Sequence, residues 1–456
     1  MRFWQPEAIL DPWIVLDLLI LGGLLAAAAG LLRMIGPLRR LSVPNAIVAG
    51  LLGLSLGPSG AGLIPIDIPA METIVYHAFA LMFIAGGLQS PPRQDRPGAA
   101  RSIAVAGSTI GVLQAILGLL FVAAWLAVEP LHPGFGLMIT LGFQQGPGQA
   151  LSLGGAWESL GMTDGGQIGL VFATLGFLYC IVLGIPAVLI ARRRGLLTER
   201  DVVEPSTEPG THAGTERRGS LLLQVVWVLL VYAAVFVAIS GMVSVLPPKL
   251  AATAWGLHFI YGSLFAITLR YAARRLGADR AFDDAQLARI SVVTVDVTTT
   301  GAIAAVRLAV LAAWLVPILL MTLLAGGLTF FGCVWLARRA FPEAPASHAL
   351  VLFGMGTGTV STGLALLRMI DPELRGTAAR NTVIGATAQI PFSAPMFVGV
   401  LPFATTQWSG STSAALGWPL AALAIYLVAL LVCWRVFTPF ALLTPLRSLW
   451  PDRPDD

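Results

Sequence analysis

The stretch Phe353–Gly363, FGMGTGTVSTG, places glycines at alternate positions 354, 356 and 358 within an apolar part of the chain. A second stretch, Phe143–Ser152, FQQGPGQALS, repeats its Phe-x-x-Gly-x-Gly frame 210 positions upstream. Two interpretations compete for this pattern. It is either a phosphate-binding loop of a nucleotide enzyme or a helix that is interrupted inside a membrane.

The composition excludes an ordinary soluble domain. Of the 456 residues, 56% are hydrophobic and 11% are charged, whereas soluble domains carry about 25% charged residues. Apolar runs recur at about 20 residues, the length that a helix needs to cross about 30 Å of hydrocarbon. The chain is therefore predicted to be an all-α polytopic membrane protein. Its net charge of +4 does not indicate a nucleic-acid partner, because the arginines stand in short loops beside apolar segments.

Eleven apolar segments are predicted to span the lipid bilayer. They are 12–32, 43–57, 70–88, 102–128, 167–191, 220–246, 251–269, 288–306, 308–337, 381–403 and 415–434. Two further apolar stretches, 134–160 and 346–370, are each cut by a glycine-rich polar centre. Their legs of about ten residues are too short to span, so each stretch is predicted to be a re-entrant hairpin.

Loop charge tests this topology, because Lys and Arg concentrate on the cytoplasmic side. If both hairpins return to the side that they entered and the N-terminus is outside, only Arg2, Lys249 and Arg307 of the 28 basic residues face outward. If 134–160 crossed once, the arginine-rich loop 192–219 would face outward. The charges favour the hairpins and a cytoplasmic C-terminus.

The two hairpins then enter from opposite sides. Five spanning segments precede the loop 192–219 and six follow it. An arrangement of two copies of one unit in opposite orientations is the inverted-repeat topology of secondary transporters. The predicted organisation is a first repeat of five helices plus a hairpin, a cytoplasmic linker, a second such repeat, and an extra C-terminal helix with its tail: 1–191, 192–219, 220–404 and 405–456.

The nucleotide-loop interpretation fails on spacing. A dinucleotide fingerprint needs a strand followed by Gly-x-Gly-x-x-Gly, and neither the third interval nor the preceding residues fit. A hairpin leg of about 12 residues, by contrast, reaches about 18 Å, just past the bilayer midplane. Both tips would meet there, and the second leg of each would offer free N–H groups to an anion. Tight helix packing is the alternative reason for the glycines, but it does not require the Gln, Thr and Ser at both tips.

The candidate substrate-binding residues are the polar and glycine positions of the two tips, together with an asparagine from the last paired helix. They are Gln145, Gly146, Gly148, Gln149, Gly356, Thr357, Gly358, Thr359, Ser361, Thr362 and Asn381. Ser361 and Thr362 have a second interpretation as caps of the second leg, and the two roles can coexist. The polar stripe that includes Asn381 and Gln389 is also explained by packing between helices.

Asp296 stands within a predicted span beside several threonines. An ionisable residue at such depth is functional by default, so we expect Asp296, Thr299, Thr300 and Gln389 to couple transport to an ion. The ion is either sodium, with Asp296 as a ligand, or a proton that Asp296 carries. The alternative is an aspartate bonded to hydroxyls in the interior. No cofactor is expected beyond a transported Na⁺, because the histidines lack metal-ligand spacing.

At low identity over most of its length, the chain resembles the bacterial sodium/glutamate symporter family. LSVPNAIVAG (41–50) is similar to the family's Ile-Pro-Glu-Pro-Val-Ala-Gly-Gly, and LMFIAGGLQ (81–89) is similar to its Leu-x-Phe-Phe-Ala-x-x-Gly-Leu. FGMGTGTVSTGLALL resembles the family's second hairpin tip, and LVFATLGFLYC resembles the helix after its first hairpin. The resemblance implies a homodimer with a scaffold domain and a moving transport domain, coupled to sodium.

One departure from the family concerns the first tip. The family reads Gly-Gly-His-Gly-Thr-Gly there, and this chain has QQGPGQ, Gln144–Gln149. Both the His and the Thr are replaced. The resemblance therefore supports the interrupted-helix architecture more strongly than it supports selectivity for glutamate.

The predicted function is secondary active transport. The expected reaction is sodium-coupled symport of a small anionic solute, such as glutamate or a related amino acid or dicarboxylate, by alternating access of a transport domain. A proton-coupled carrier of a different solute, using Asp296, is the alternative. An intramembrane enzyme is disfavoured because no Ser/His/Asp grouping stands at depth. A channel is disfavoured because opposed hairpins would occlude a continuous pore.

Overall fold

The computed structural model describes residues 2–36, 42–90, 97–197, 220–405 and 416–437. The regular elements of these described parts are all helical, with no strand. Within these described parts, eight helices are long and apolar enough to cross a membrane, and the number rises to ten if each of two bent helix pairs is one span. The protein is therefore a multi-pass α-helical membrane protein, as its composition predicts. Most of the predicted linker 192–219 and of the C-terminal tail lies outside the described residues.

The first part of the chain, up to residue 197, contains eight labelled helices. They are α1 (Trp13–Met34), α2 (Asn45–Leu56), α3 (Ile68–Gly87), α4 (Pro97–Trp125), α5 (Pro133–Ile139), α6 (Pro147–Glu158), α7 (Gly165–Tyr179) and α8 (Ile185–Arg193). A π-helical segment, Thr140–Gln145, extends α5. A second one, Cys180–Gly184, joins α7 to α8 in one long span. Two short turns precede α1: Arg2–Trp4 and Pro6–Ile9.

The second part of the chain, from residue 220, contains eleven labelled helices. They are α9 (Leu221–Val243), α10 (Pro248–Gly256), α11 (His258–Arg275), α12 (Asp284–Ala304), α13 (Leu308–Ala313), α14 (Leu315–Ala340), α15 (Pro345–Gly356), α16 (Val360–Arg368), α17 (Thr377–Ala394), α18 (Leu401–Ala404) and α19 (Gly417–Phe437). A short 3₁₀ turn, Asp279–Ala281, precedes α12, and a π-helical segment, Pro395–Val400, joins α17 to α18.

The predicted span 308–337 is divided at Trp314 into the short α13 and the long α14, and three other predicted spans are not single straight crossings. The span 251–269 divides after Gly256 into α10 and α11, which meet at 60°. The span 381–403 bends by 47° at residue 387, because Pro391 has no N–H to donate to the carbonyl four residues before it. The third, α2, has 12 residues and is too short to cross the hydrocarbon alone.

Burial separates central helices from peripheral ones. Most residues of α3, α4 and the α7–α8 span are buried inside the protein, whereas fewer than a third of the residues are buried in the most apolar windows of α1, α9 and α19. In a bilayer such exposed apolar faces lie against lipid. The central helices approach closely through glycines: Gly50 of α2 packs against Ile303 of α12, and Gly301 of α12 packs against Val75 of α3.

Local capping explains where several helices of this core begin. The Asp67 carboxylate accepts from Ala70 N–H at the start of α3, and the Asp283 carboxylate accepts from Ala285 N–H at the start of α12. His132 accepts from the N–H of Gly134 at the start of α5. Each cap satisfies a first-turn N–H that has no partner within its helix. Together they fix the starts of three helices that frame the candidate site.

Candidate functional site

The two glycine-rich stretches form helix pairs whose legs run antiparallel. In the first pair, formed by α5 and α6, Gly134 packs so closely against Trp157 that an added Cβ would stand 2.7 Å from the indole ring. In the second pair, formed by α15 and α16, an added Cβ on Gly354 would stand 2.6 Å from Gly363. Each stretch is thus a helix, a break and a returning helix.

The breaks of the two pairs meet. Gly146, at the first break, has a φ of +94°, which favours glycine because other residues are strained there. An added Cβ on Gly146 would stand 3.2 Å from Thr359 Cγ2 at the second break. Gly176 of α7 packs against both Phe143 and the carbonyl of Thr357. The two breaks therefore lie together beside α7.

A cavity of about 380 Å³ lies at this meeting point. Six of the predicted substrate-binding residues line it, four at the first break and the start of α6 and two at the start of α16: Gln145, Gly146, Gly148, Gln149, Thr359 and Ser361. Thr299 and Gln389, two of the predicted ion-coupling residues, also line it. None of the lining residues in the described part of the chain is Asp, Glu, Lys, Arg or His.

The remaining tip residues hold the second break together and do not line the cavity. The carbonyl of Gly356 accepts from Gln114 Nε2 at 2.7 Å, and Thr357 Oγ1 donates to Phe353 O within α15. Gly358 packs against Thr362 and Phe177. These three positions, which were candidate substrate contacts, have a structural role in this conformation.

Thr362 caps the returning leg of the second pair. Its Oγ1 accepts from Thr359 N–H at 2.8 Å and lies 2.7 Å from the carbonyl of Gly354. The carbonyl of Thr359 is also 2.7 Å from this Oγ1, and because carbonyls only accept, the hydroxyl proton is donated to one of the two. Thr362 therefore satisfies backbone groups at the break, which is the capping interpretation of this residue.

Asn381 lies away from the breaks. Its Nδ2 stands 3.3 Å from His348 Nε2, and His348 is in the first turn of α15, at the far end of that leg. The prediction that Asn381 binds substrate is not supported by this placement. The polar residues of α17 therefore have two different placements. Asn381 contacts His348 of α15, and Gln389 lines the cavity.

The predicted ion-coupling residues are also divided. Thr300 Oγ1 donates to the carbonyl of Ala46 in the first turn of α2 at 3.2 Å. Asp296 is half-buried and lies one turn before Thr300 on the same face of α12. It does not line the cavity. Thr299, which does, is three residues further along the same helix. Asp296 thus lies beside the cavity, towards the start of α2.

A ladder of three glutamines connects the first break to α4. Gln149 Nε2 donates to Gln145 Oε1 at 3.2 Å, Gln145 Nε2 donates to Gln144 Oε1 at 3.3 Å, and Gln144 Nε2 donates to the carbonyl of Gly107. A carbonyl only accepts, so the ladder can run in one direction only. Its free end is Gln149 Oε1, which has no hydrogen-bond partner among the described residues although the side chain is only 3% exposed.

A second unpaired oxygen belongs to α12 and lines the same cavity. Thr298 lines the cavity with 3% of its surface exposed, and within the described part of the chain its Oγ1 has no hydrogen-bond partner. The first turns of α6 and α16 also line the cavity, and a first turn carries free N–H groups and partial positive charge. The cavity therefore offers both donors and acceptors without any charged side chain.

Several contributors to the site were not predicted from the sequence. Gln114 of α4 is one, although a single amide in the apolar run GVLQAILGLLF was a usable signal. The phenylalanines that line the cavity are others: Phe79, Phe83, Phe259 and Phe397. In the sequence these four residues cannot be distinguished from ordinary core residues.

Glu72 is a buried carboxylate that the predicted set also lacks. Its Oε1 accepts from Gln167 Nε2 at 2.6 Å, and the Gln167 amide also donates to Ala305 O and accepts from Arg307 N–H. Arg307 in turn pairs with Asp164 at 3.2 Å. This group ties α3 and α7 to the turn between α12 and α13, which indicates a structural role.

No protein-family model matches the chain, and no curated protein matches it. Among the described residues, no group of three or more His, Cys, Asp or Glu is placed to hold a metal ion. The chemistry available is that of the cavity itself: paired helix starts, amides, hydroxyls and aromatic rings. Its function is inferred from these groups.

Proposed function

We propose that this protein is a secondary active transporter that carries a small carboxylate-bearing solute together with sodium. The observation that carries the proposal is the meeting of two interrupted helix pairs at one cavity, where α6 and α16 both begin. Interrupted helices inside a membrane are tolerated only within protein or along a water-filled cavity. In secondary transporters such half-helix starts bind the anionic group of the solute.

The proposal includes the inverted-repeat topology. The repeats are 1–191 and 220–404, joined by the cytoplasmic linker 192–219, with the hairpin of α5 and α6 entering from outside and that of α15 and α16 from the cytoplasm. The loop charges support this orientation. The resemblance to bacterial sodium/glutamate symporters supports the same plan and adds a homodimer in the inner membrane, with a scaffold and a moving transport domain in each subunit.

Cysteine labelling tests the orientation. In a background with alanine at all three native cysteines, Thr163→Cys and Glu343→Cys place single thiols in exposed loops next to the two hairpins. An impermeant maleimide is expected to label Thr163→Cys in intact cells and Glu343→Cys only in inverted vesicles. Labelling of both from the same side would overturn the opposed insertion.

Sodium coupling is assigned to Asp296 with Thr299, Thr300 and Gln389. Asp296 is half-buried in α12, in a helix that also supplies lining residues to the cavity. A carboxylate inside a membrane marks an ion pathway, and hydroxyl and amide oxygens are suitable further ligands for a small hard cation. Proton coupling through Asp296 is the second candidate, and the same half-buried carboxylate favours it.

Flux measurements in proteoliposomes separate these candidates. An inward sodium gradient is expected to drive uptake of a labelled carboxylate solute above its equilibrium level, and a sodium ionophore is expected to abolish this accumulation. Accumulation driven by a pH gradient at equal sodium would favour the proton carrier instead. Unitary currents across a planar bilayer would show a channel and overturn the proposal.

A further inference from the structure

The cavity lacks a counter-charge for a second ionised group on the solute. The described residues that line it include no Lys, Arg or His, and the positive potential that they offer to an anion comes from the first turns of α6 and α16. One carboxylate can be held there by backbone N–H groups. A side-chain carboxylate, as in glutamate or a dicarboxylate, would be buried without a cationic partner, and an unpaired buried charge is strongly disfavoured.

The unpaired acceptors point to a donor group on the solute. Gln149 Oε1 is the free end of the glutamine ladder, and its direction is fixed because the other end of the ladder meets a carbonyl. Thr298 Oγ1 likewise has no partner among the residues that the structure describes, and both side chains are 3% exposed and line the cavity. Buried polar atoms are normally satisfied, so these two oxygens are suited to an ammonium group.

The remaining lining is apolar and aromatic. Phe79, Phe83 and Phe259 form a mutually packed cluster with ring centroids 5.0–5.1 Å apart, and Phe397 stands 6.1 Å from Phe259. All four line the cavity. Aromatic side chains favour an apolar partner, because burying apolar surface is the main favourable term in such a pocket. This part of the cavity fits the body of a large apolar side chain.

We propose, on the basis of the transporter function above, that the solute is a zwitterionic amino acid with a large apolar side chain. Its carboxylate binds the first-turn N–H groups of α6 and α16. Its ammonium group binds Gln149 Oε1 and Thr298 Oγ1, and its side chain lies among the four phenylalanines. The zwitterion carries no net charge, which matches the absence of charged side chains among the described lining residues.

Binding to the purified full chain tests this assignment. Isothermal titration calorimetry, in detergent with sodium present, compares the binding of phenylalanine, leucine, glutamate, succinate and 3-phenylpropionate. The last compound is phenylalanine without its ammonium group. Phenylalanine and leucine are expected to bind at least tenfold more tightly than glutamate and succinate. 3-Phenylpropionate is expected to bind at least tenfold more weakly than phenylalanine, because it leaves the two acceptors unpaired.

A matched pair of variants isolates the ammonium contact. Gln149→Met keeps the length of the side chain but removes Oε1, so phenylalanine affinity is expected to fall about tenfold while affinity for 3-phenylpropionate stays the same. Gln89→Met is the control, because Gln89 donates to Ala85 O and Ser291 at the end of α3 and does not line the cavity. Equal losses for both ligands in Gln149→Met would overturn the ammonium assignment.

The outcomes for the solute and for transport are distinguishable. If glutamate or succinate binds most tightly and is accumulated with sodium, the apolar assignment is wrong and the transporter proposal stands. If phenylalanine or leucine binds as expected but no sodium gradient or pH gradient drives its uptake, the cavity chemistry is right and the transporter proposal is wrong. Failure of every apolar amino acid to bind would overturn the assignment of the solute.

Discussion

The side-chain amide of Gln114 in α4 donates to the carbonyl of Gly356, the last residue of α15, at 2.7 Å. The same Nε2 lies 2.9 Å from Thr329 Oγ1 on α14. A carbonyl at the end of a helix has no partner within that helix, so Gln114 supplies one at the second break. Two turns earlier on α4, Gly107 O accepts from Gln144 at the first break. One long buried helix thus contacts both breaks.

Replacing Gln114 with leucine is expected to destabilise the protein and impair the site. The Gly356 carbonyl would stay buried without its partner, at a cost of about 1–3 kcal/mol. The midpoint of thermal unfolding in detergent should fall, and sodium-driven uptake should fall with it because the second break loses its anchor. Gln224→Leu is the matched control. Gln224 is a buried glutamine in the first turn of α9, and it contacts Ala281 and Asp283 and neither break. This control should lower the midpoint without reducing solute affinity, and a Gln114→Leu protein with normal stability and uptake would contradict the anchoring role.

Gly148 in the first turn of α6 is expected not to tolerate a methyl group. An added Cβ would stand 2.2 Å from the ring of Phe79, which is 2% exposed and held by Phe83 and Phe259. Gly148→Ala should therefore cost about 1–3 kcal/mol of stability through overpacking and should weaken solute binding.

The contact with Phe79 gives this prediction its own controls. Gly155→Ala, in the same helix, should be nearly neutral, because its nearest neighbour is the Phe3 ring at 3.6 Å. Adding Phe79→Leu to Gly148→Ala should recover part of the lost unfolding midpoint, since the smaller side chain leaves room for the methyl group. No recovery in the double variant would show that another contact limits this position.

The interruption of both helix pairs could be predicted from local sequence. Glycines at 146, 356 and 358 and the polar residues around them break an apolar periodicity at its centre, and backbone preference acts over only a few residues. The bend after Gly256 could not be predicted from local sequence, because no proline and no cluster of glycines and polar residues interrupts the run there. The whole run 251–269 is apolar enough for one crossing.

The roles of individual polar residues could be predicted less well than the helix breaks. Thr362 and Ser361 are adjacent and chemically alike, yet one caps the helix and the other lines the cavity. Which of them faces the cavity depends on the angle at which α16 leaves the break. Asn381 and Gln389 lie on one helix, but Asn381 contacts His348 of α15 whereas Gln389 lines the cavity. This difference depends on how α17 packs beside α15.

Asp296→Asn tests the assignment of the coupling ion. The substitution keeps the shape of the side chain and removes its charge, so a sodium site that uses this carboxylate should lose at least tenfold in sodium affinity, about 1.4 kcal/mol. Sodium dependence of uptake, measured at fixed pH in proteoliposomes, gives that affinity. Glu158→Gln is the control, because Glu158 contacts Gly166 N–H at the end of α6 and does not line the cavity.

The same variant distinguishes a proton carrier. If Asp296 releases a proton in each cycle, Asp296→Asn should still exchange internal for external solute but should lose accumulation driven by a pH gradient. Unchanged sodium affinity together with this loss would replace sodium coupling by proton coupling. Unchanged accumulation under both gradients would remove Asp296 from the coupling mechanism altogether.

His132, before the first leg, is expected to make stability depend on pH. Burial lowers the pKa of His132 to about 4, below its ordinary value of about 6.5, and the neutral ring accepts from Gly134 N–H at 3.0 Å. Between pH 6.5 and 4 the unfolded chain therefore binds a proton that the folded chain excludes. The free energy of unfolding should fall as pH drops through this window, by an amount on the order of 3 kcal/mol, and His132 should add no further change below pH 4.

His132→Asn separates this titration from the other acidic-pH effects on the protein. Asparagine keeps an acceptor at the start of α5 but has no proton to gain, so the slope of stability against pH between 6.5 and 4 should become shallower. Denaturant unfolding in detergent, followed at half-unit steps of pH, measures both slopes. At pH 7.5, where the histidine is neutral in both states, the variant should differ little from the parent. A parallel shift of the whole curve would mean that the imidazole contributes only packing and capping, and that its protonation does not control folding at this end of the hairpin.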